Sequence, residues 1–592
     1  MTEAARPSLT PQRRREVLSV PAGAALILAL CFALYFWGLA GVPFYDKGEP
    51  REGLVVWEIW HNGNWILPLR SGVDIPSKPP MFHWLAALTS HAAGTFTEFT
   101  LRFPSALLAT VGVLLIYLAG ARLWGRSAGV AAAVVLATSP EWWRAATSAR
   151  VDMTLTFFML CAFLYFYFLY KAGGGLARTL PLALLAGLAT LAKGPVGAAL
   201  PGLAALLFLW KKRDLAFVKR LYLPVTIPFG VAVAAAWYLL ALQQGGERFF
   251  LRQVMHEIVG TPLGGAGHNH NVFYYIPALI FGMAPWSLFF PALAIFLYQQ
   301  RRRLVKEELL YPLVWFATVF VVLSLALGKR TVYILPLYPA AALLFGSWWQ
   351  KLSAGEFIGE ARQYPWAGWA KGAAIAAAAL LALVSAALAA EALGWNPLEF
   401  VRSFLRPRDR EGLALVANAI DRHRAAIFFY SVLSAAAAVF LVRAARTNVW
   451  PQALAALGAV MVLSFWLAQN VFHPELAAAY DFKPFMARVR EKVPADAPLV
   501  FFGGANKSPA FYVRVYAPSF RQKTVGIKPP FYMLIAEKQW KPLRGKEGLA
   551  ELDVSEAIGI DGRQRLYLVQ VSPGAALQLP EPVEPRDEGA DE

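Results

Sequence analysis

The chain has little cysteine and little charge for its length. Only 2 of its 592 residues are cysteine, and both lie in apolar runs, which leaves no disulfide framework and no zinc-site spacing. Charged residues make up 16% of the chain, and hydrophobic residues make up 57%. Soluble domains typically carry about 25% charged residues. The composition therefore predicts a membrane protein that crosses the bilayer many times.

Motifs for nucleotide binding are also missing. The sequence has no Walker A, GxGxxG, GxSxG or DxD-type motif in a suitable context, so a cytosolic nucleotide sugar is not the expected donor. The net charge is +18, but the basic residues lie in short clusters between apolar runs. This pattern is typical of cytoplasmic loops in membrane proteins, so nucleic acid is not an expected partner.

Long hydrophobic runs predict about thirteen transmembrane helices. The expected spans are 21–40, 104–123, 127–141, 153–170, 179–193, 195–211, 221–243, 272–298, 311–328, 331–350, 370–392, 426–443 and 450–470. Basic clusters alternate with these spans, and the positive-inside rule places the clusters and the N-terminus in the cytoplasm. The first outer loop, residues 41–103, and the segment after the last span are then periplasmic.

Domain boundaries follow the change in composition. Residues 1–20 are expected to be a cytoplasmic segment before a retained anchor, and residues 21–470 form the membrane domain. Residues 471–580 are mixed in polarity, and the stretches PLVFF and RLYLVQV predict strands of a small periplasmic α/β domain. The acidic tail, residues 581–592, is predicted to be disordered.

The first outer loop carries many ionisable residues. Asp46 and Glu49 lie three residues apart, and a carboxylate here can take the proton from an acceptor hydroxyl or phosphate that attacks a sugar. The alternative is structural: Glu49 precedes proline, which is typical of a helix start, so Glu49 and Glu52 can cap a helix over 50–61.

Several basic residues lie on the outer face, where basic residues are scarce. Each flanks or enters an apolar run: Arg51, Lys78, Arg150, Lys193, Lys329 and Arg330. Cations that converge at the bilayer boundary match a lipid-linked phosphate, because an anionic head group that leaves water must be paired to offset a desolvation cost of several kcal/mol. The alternative is that each side chain extends to lipid phosphates or pairs with a nearby acid.

Two further groups of residues are candidates. Asp152 lies at the outer entrance of a predicted span, two residues after Arg150, and an ionisable residue there is a functional candidate. A later outer loop holds four residues of metal-ligating type: His256, Glu257, His268 and His270. An alternative role for these residues is to bind a divalent cation. However, His256 and Glu257 are not followed by the second histidine of the HExxH motif, so no cofactor is expected.

Several segments, in their order along the chain, resemble a known family. They are EPRE, GNWILP, KPPMFHWL, LRFPSALLA, ARVDMTLTFF, LAKGP and GKRTVYILPLYPAAALL. Together they resemble the polyprenyl-phosphate-dependent glycosyltransferases of the GT-C fold. Among these, the chain is most similar to the bacterial aminoarabinose transferases, which are related to the protein O-mannosyltransferases. The resemblance covers residues 20–350 closely, and it implies a polytopic α-helical, GT-C-like protein of the bacterial inner membrane.

The resemblance also implies a reaction. A sugar moves from undecaprenyl phosphate to a lipid or glycan acceptor, such as lipid A, at the periplasmic face with inversion at the anomeric carbon. By motif, Lys78 holds the donor phosphate and Asp152 organises the cavity. The same motifs give supporting contacts to phosphate or substrate from Lys193, Lys329 and Tyr333. No cofactor is implied, and a monomer is expected.

The chain departs from the family pattern at two positions. Arg51 matches the arginine of an acid-Glu-Pro-Arg motif, but the leading aspartate falls on Gly48, so Glu49, and after it Asp46, are the candidate bases. Ser77 replaces the acid that often precedes KPP, which leaves the sugar and acceptor open.

Other functions remain as alternatives. A transporter or flippase of lipid-linked sugars would use the same cations, although the sequence shows no repeated halves and its unusual charges lie on one face. A protein O-glycosyltransferase is a further alternative, and a structural scaffold would leave the displaced charges unexplained.

Overall fold

The computed structural model describes residues 11–46, 48–260, 270–302, 308–355, 365–502, 507–516, 527–558 and 564–575. Its α-helices are Pro11–Cys31, Gly48–Asn62, Met81–Ala93, Glu98–Trp124, Arg126–Ala137, Pro140–Ala146, Val151–Lys171, Leu176–Lys193, Val196–Lys212, Leu223–Phe249, Tyr275–Gly282, Phe290–Gln300, Leu310–Leu325, Tyr338–Ser353, Pro365–Ala392, Pro397–Phe404, Pro407–Arg422, Arg424–Thr447, Trp450–Leu467, His473–Tyr480, Lys483–Lys492, Lys507–Tyr516 and Glu537–Trp540. Segments of 3₁₀- or π-helix are Phe32–Phe36, Leu215–Leu221, Phe250–Gly260, Trp286–Phe289, Thr331–Leu337 and Ala468–Phe472.

Every predicted span falls on a helical segment. Within the described ranges, 8 helices are long and apolar enough to cross a membrane, or 9 if the bent pair Tyr275–Gly282 and Trp286–Gln300 forms one span. The two parts of that pair meet at 110°. The remaining predicted spans coincide with shorter helices: Val20–Phe36, Arg126–Ala137, Val196–Lys212 and Leu310–Leu325. The chain is a multi-pass α-helical membrane protein.

Local sequence sets the ends of the helices around the first outer loop. Thr97 and Thr100 form a capping box at the start of Glu98–Trp124, with each backbone N–H donating to the other hydroxyl at 3.1 and 3.3 Å. Helix Met81–Ala93 begins after two prolines and ends at Gly94, whose φ of +65° suits a residue without a Cβ. These two helices therefore have defined starts at the same loop.

Small residues allow the central helices to approach closely. A Cβ on Gly129 would overlap the carbonyl of Tyr117, and a Cβ on Gly346 would overlap the carbonyl of Ala128. Helices Glu98–Trp124, Arg126–Ala137 and Tyr338–Ser353 consequently pack backbone to backbone, which is a common arrangement in membrane bundles.

The loops fall into two groups at opposite ends of the bundle. At one end, Gly175 N donates to the carbonyl of Arg220 at 3.0 Å, and Tyr170 donates to Asp214 at 3.0 Å, so loops from two predicted basic clusters meet. At the other end, the first outer loop contacts the C-terminal domain. The assignment of one end to the cytoplasm and of the other to the periplasm stays a prediction.

The C-terminal domain contains a four-stranded sheet in the order β1-β2-β4-β3. The strands are β1 Leu499–Phe502, β2 Phe531–Ala536, β3 Leu549–Val554 and β4 Leu566–Val571. β1 pairs in parallel with β2, whereas β4 lies antiparallel to both β2 and β3. The prediction of β1 and β4 from their apolar runs is confirmed. The tail, residues 581–592, lies outside the described residues.

The C-terminal domain shares a hydrophobic core with the first outer loop. One buried cluster joins Phe44 and Leu54 of the loop to Phe511 of helix Lys507–Tyr516 and to Leu534 and Leu568 of the sheet. The rings of Phe44 and Phe511 lie 5.0 Å apart. The domain is thus a packing partner of the loop that carries the candidate acids.

Candidate active site

Asp46 caps the first-loop helix and pairs with Arg150. Its Oδ1 accepts from the backbone N of Gly48 and of Glu49, both at 3.0 Å, and its Oδ2 accepts from Arg150 Nη2 at 2.6 Å. Burial raises the pKa of Asp46, but the charge of Arg150 and these hydrogen bonds outweigh it, so the pKa lies below the ordinary aspartate value. Asp46 keeps 36% of its side chain exposed, so this ionised carboxylate remains accessible.

Gly48 leaves the space that Arg150 fills. A Cβ at this position would overlap the guanidinium of Arg150. An aspartate here, as in the resembling family, would therefore require Arg150 to move. In this chain the accessible carboxylate comes instead from Asp46, two residues upstream.

Glu49 is fully engaged by protein groups. Its two oxygens accept from Arg102 Nε at 2.7 Å and Nη2 at 2.8 Å, and Ala149 N donates to Oε1 at 2.9 Å. Arg102 also donates to the carbonyls of Leu39 and Val42. Only 10% of the Glu49 side chain is exposed. Of the two candidate bases, Asp46 is therefore the more accessible, and the order between them stays a prediction.

Asp152 and Lys193 form a second acid–base pair next to the first. Lys193 Nζ donates to Asp152 Oδ1, and the same ammonium lies 4.0 Å from the centre of the Tyr333 ring. Asp152 also interacts electrostatically with Arg150, which links the two pairs. The structure therefore brings together five of the predicted site residues: Asp46, Arg150, Asp152, Lys193 and Tyr333.

Lys78 pairs with a residue of the predicted metal loop. Its Nζ lies 2.5 Å from Glu257 Oε2, and the side chains are 14% and 9% exposed. Glu257 Oε1 lies 3.5 Å from His256 Nδ1 and 3.6 Å from Arg252 Nη2. This pair connects the KPP segment to residues 250–260, which are far from it in the chain.

The described residues contain no group of three histidine, cysteine, aspartate or glutamate side chains that could hold a metal ion. His268 lies outside the described residues. The ring of His270 stacks on the ring of Tyr274, with the two ring centres 4.2 Å apart.

Arg51 and Lys329 have other partners. Arg51 donates to Glu52 Oε1 through Nε at 2.9 Å and Nη2 at 2.8 Å, and the buried His83 ring lies 2.8 Å from Glu52 Oε2. Burial raises the pKa of Glu52, but Arg51 and His83 outweigh it and lower the pKa well below the ordinary value. Lys329 is buried and donates to the carbonyls of His270 and Ala326. Both cations contact protein acceptors of the outer loops.

Sequence reasoning missed two basic residues at this end of the bundle. Arg102 holds Glu49, and Arg144 pairs with Glu141 at 2.6 Å. Both lie beside predicted spans on the predicted outer face, where basic residues are scarce, so the positive-inside rule marks them in the same way as the other displaced cations. The pattern was present in the sequence, but only the structure shows their partners.

Comparison with known proteins supports this architecture. Residues 77–240 match the family described as dolichyl-phosphate-mannose-protein mannosyltransferase. The undecaprenyl phosphate-alpha-4-amino-4-deoxy-L-arabinose arabinosyl transferase of Pectobacterium carotovorum is 28% identical over 330 residues, which cover 55% of this chain and 58% of that protein. A transferase of the same description from Proteus mirabilis is 26% identical, with 55% and 59% covered. The matches thus span less than two thirds of these relatives.

Solved structures extend the comparison to nearly the whole chain. ArnT from Cupriavidus metallidurans bound to undecaprenyl phosphate superposes with a TM-score of 0.71 at 20% identity, covering 94% of this chain and 99% of that one. Its apo state gives a TM-score of 0.69, with 93% and 98% covered. The chain therefore has the fold of this transferase, the GT-C fold. The fold predicted from the ordered motifs is therefore confirmed, including the helical membrane part and the small C-terminal sheet.

Proposed function

We propose that this chain is a membrane glycosyltransferase that moves a sugar from a polyprenyl phosphate to a lipid or glycan acceptor. The observation that carries the proposal is the cluster in which the partly exposed Asp46 lies beside Arg150, Asp152 and Lys193. An ionised carboxylate next to fixed cations suits a reaction that removes a proton from one oxygen and releases a phosphate from another.

The comparisons narrow the proposed substrates. Two relatives are named as arabinosyl transferases that use an undecaprenyl phosphate donor, and one solved structure contains undecaprenyl phosphate. We therefore propose undecaprenyl phosphate as the lipid carrier, a pentose such as aminoarabinose as the sugar, and lipid A as the acceptor. The proposed location is the bacterial inner membrane, with the cluster on the periplasmic face and the chain acting as a monomer.

The proposed reaction is a single inverting displacement. An oxygen of the acceptor loses its proton to Asp46 and forms a bond to the anomeric carbon. The bond between that carbon and the donor phosphate oxygen breaks, and the phosphate leaves with the electron pair. Arg150 holds Asp46 in its ionised form and in a fixed direction through the 2.6 Å hydrogen bond.

Cations stabilise the departing phosphate in this proposal. Lys193 contacts both Asp152 and the Tyr333 ring, which fix the position of its ammonium. Its side chain is still 13% exposed, so a phosphate can reach it. Lys78 supplies a second cation when its pairing with Glu257 is exchanged for phosphate. Preorganised charges of this kind act strongly where water is scarce.

The test is a transfer assay with the full chain in proteoliposomes. Wild-type protein should release free polyprenyl phosphate in step with glycosylation of lipid A. Asp46→Asn should lower kcat by a factor of about 10² to 10⁴, the usual contribution of a general base. Donor movement across the bilayer without release of free polyprenyl phosphate would instead identify a flippase and overturn the proposal.

A further inference from the structure

A separate cavity of about 430 Å³ lies between helix Pro140–Ala146 and the bent helix pair that begins with Tyr275–Gly282. Its lining combines an ion pair, Glu141 with Arg144, and a largely apolar wall formed mainly by Tyr274, Pro277, Ala278 and Phe281. The cavity is not part of the donor cluster of Lys193 and Tyr333, so its mixed lining requires its own explanation.

The ion pair leaves part of Arg144 open to the cavity. Arg144 donates from Nε to Glu141 Oε2 at 3.0 Å and from Nη2 to Oε1 at 2.6 Å, and the structure shows no partner for Nη1 among the residues it describes. The Arg144 side chain is 40% exposed, whereas that of Glu141 is 11% exposed. The carboxylate therefore lies behind the guanidinium, and the group that faces the cavity is a cation with free hydrogen-bonding capacity.

The apolar wall is continuous with the surface that faces the bilayer. Phe281 is 75% exposed, and Ile276 and Ile280 on the same helix are 45% and 46% exposed. On its inner side the helix presses on the buried Tyr338, whose hydroxyl occupies the space where a Cβ of Gly282 would lie. The wall thus has a fixed position, and one side of the cavity is open to lipid chains.

The cavity lies next to the proposed base. Arg144 interacts electrostatically with both Asp152 and Asp46. Helix Pro140–Ala146, which carries Arg144, is followed by a short segment in which Ala149 N donates to Glu49 and Arg150 donates to Asp46. On the opposite side Thr331 lines the cavity, two residues from the Tyr333 that contacts Lys193. A ligand on Arg144 and a phosphate on Lys193 would therefore approach the same carboxylates from different directions.

We propose that this cavity is the acceptor site and that it binds a phosphorylated membrane lipid. The phosphate bonds Arg144 Nη1, and an acyl chain lies along the wall formed by Pro277, Ala278 and Phe281. This inference rests on the proposed function, because an acceptor must place its nucleophilic oxygen near Asp46. A donor lipid is a poorer occupant, because the two cations assigned to the donor phosphate, Lys193 and Lys78, do not line this cavity.

A steric variant tests the cavity without changing its charge. Ala278→Trp fills the space beside the wall, and Ile280→Trp places the same side chain on the bilayer-facing side of the same helix. Ala278→Trp should raise the KM for lipid A about tenfold or more, with the donor KM unchanged. Ile280→Trp should leave both constants at wild-type values. A rise in the donor KM, or equal effects of the two variants, would overturn the assignment.

A charge variant separates phosphate binding from a structural ion pair. Glu141→Gln keeps the cation and frees its Nε and Nη2, so it should lower the KM for lipid A. The double variant Glu141→Gln with Arg144→Gln removes the cation without burying an unpaired acid, and should raise that KM about tenfold or more. Changes in the same direction for both variants, accompanied by loss of thermal stability, would show that the pair is only structural.

Lipid binding distinguishes failure of this inference from failure of the proposed function. Native mass spectrometry of the full chain in detergent should show retained phosphatidic acid in preference to phosphatidylcholine with the same acyl chains, and Ala278→Trp should abolish the preference. If transfer is absent but this preference is present, the proposed function fails and the lipid site stands. If transfer proceeds and neither variant changes the KM for lipid A, the acceptor assignment fails, whether or not phosphatidic acid binds.

Discussion

The guanidinium of Arg150 fills the space that a side chain at residue 48 would need, and Gly48 makes this possible. From that position Arg150 donates to Asp46 at 2.6 Å. In the family that the chain resembles, an aspartate is expected at this position, whereas Gly48 here leaves room for the guanidinium of Arg150. The carboxylate that this cation orients lies two residues upstream.

Gly48→Ala is expected to displace Arg150 and to lower kcat about a hundredfold, because an error of about 1 Å in a catalytic group can cost that much. The matched control is Gly412→Ala, where an added Cβ meets nothing within 4 Å. Steady-state transfer rates check the effect. A double-mutant cycle with Arg150→Ala should be non-additive, and additive losses would show that the two positions act independently.

The lowered pKa of Asp46 predicts the acid side of the pH–rate profile. Burial raises this pKa, but Arg150 and the helix N–H groups lower it by more, so the net pKa lies below the ordinary aspartate value. The carboxylate of Asp46 therefore stays ionised from neutral pH down to below the ordinary aspartate range. Activity is lost only as the pH falls through the lowered value. Arg150→Gln removes the main lowering charge and should move the acid limb of kcat/KM to higher pH.

Arg178→Gln is the control for that profile. Arg178 donates to the carbonyl of Ala172 among the loops at the opposite end of the bundle, so the acid limb should not move. An identical profile for wild type and Arg150→Gln would contradict the assignment of Asp46 as the titrating base.

Glu49→Gln is expected to destabilise the chain more than Asp46→Asn. Glu49 and Arg102 are a buried pair with two hydrogen bonds, and removal of one partner from such a pair costs about 3–5 kcal/mol. The side chains of Asp46 and Arg150 are 36% and 27% exposed, so substitution of Asp46 leaves Arg150 able to reach water. Thermal unfolding of the purified variants in detergent checks the order. A larger loss of thermal stability for Asp46→Asn would contradict the view that Glu49 is the structural carboxylate and Asp46 the accessible one.

Glu257→Gln should strengthen donor binding. The carboxylate of Glu257 holds Lys78 at 2.5 Å, so a donor phosphate must compete with it for the ammonium. Removing this competitor should lower the Kd for undecaprenyl phosphate by up to about tenfold, which corresponds to about 1.4 kcal/mol. Lys78→Ala should raise the same Kd.

The matched control for this pair is Glu308→Gln, because Glu308 pairs with Lys171 at 3.3 Å at the opposite end of the bundle. It should leave binding unchanged. Weaker donor binding by Glu257→Gln would show that Glu257 positions Lys78 for the phosphate instead of competing with it.

Tyr512→Phe tests the link between the C-terminal domain and the first outer loop. The Tyr512 hydroxyl accepts from Phe44 N at 2.8 Å and donates to Glu98 Oε1 at 2.9 Å. Its loss leaves a buried N–H unsatisfied, at a cost of about 1–3 kcal/mol. Tyr532→Phe, on strand β2, is the control because its side chain is only partly buried. Unfolding temperature and transfer rate should both fall for Tyr512→Phe and should stay at wild-type values for Tyr532→Phe. Equal losses in the two variants would contradict a specific link through Tyr512.

The membrane part of the fold was predictable because long apolar runs have few alternatives to a transmembrane helix. The strands β1 and β4 were predicted for a similar reason, since both are short buried runs. Strand β2, Phe531–Ala536, is also a short, mostly buried run, but it was not named from the sequence. Strand β3, Leu549–Val554, was not predicted because it is partly exposed and carries acidic residues that lack an apolar pattern. Its position depends on pairing with β4, which is a tertiary contact.

The candidate site was predictable as a set of residues but not as a set of pairs. Unusual charges on the outer face identified Asp46, Arg150 and Lys193 from sequence. The pairing of Lys78 with Glu257 joins residues 179 positions apart, and no local pattern specifies such a contact. The preference between Glu49 and Asp46 likewise depends on Arg102, whose side chain reaches Glu49 from another helix.

The hydrophobic core that joins Phe44 and Leu54 to Phe511, Leu534 and Leu568 sets an order of assembly for the protein. The first loop is made early in translation, but the residues that cover its apolar face, Phe511, Leu534 and Leu568, leave the ribosome much later. Until they arrive, the loop that carries Asp46 has no complete core to fold against. A chain truncated after helix Trp450–Leu467 would therefore insert into the bilayer and still lack the core that shapes the loop of Asp46.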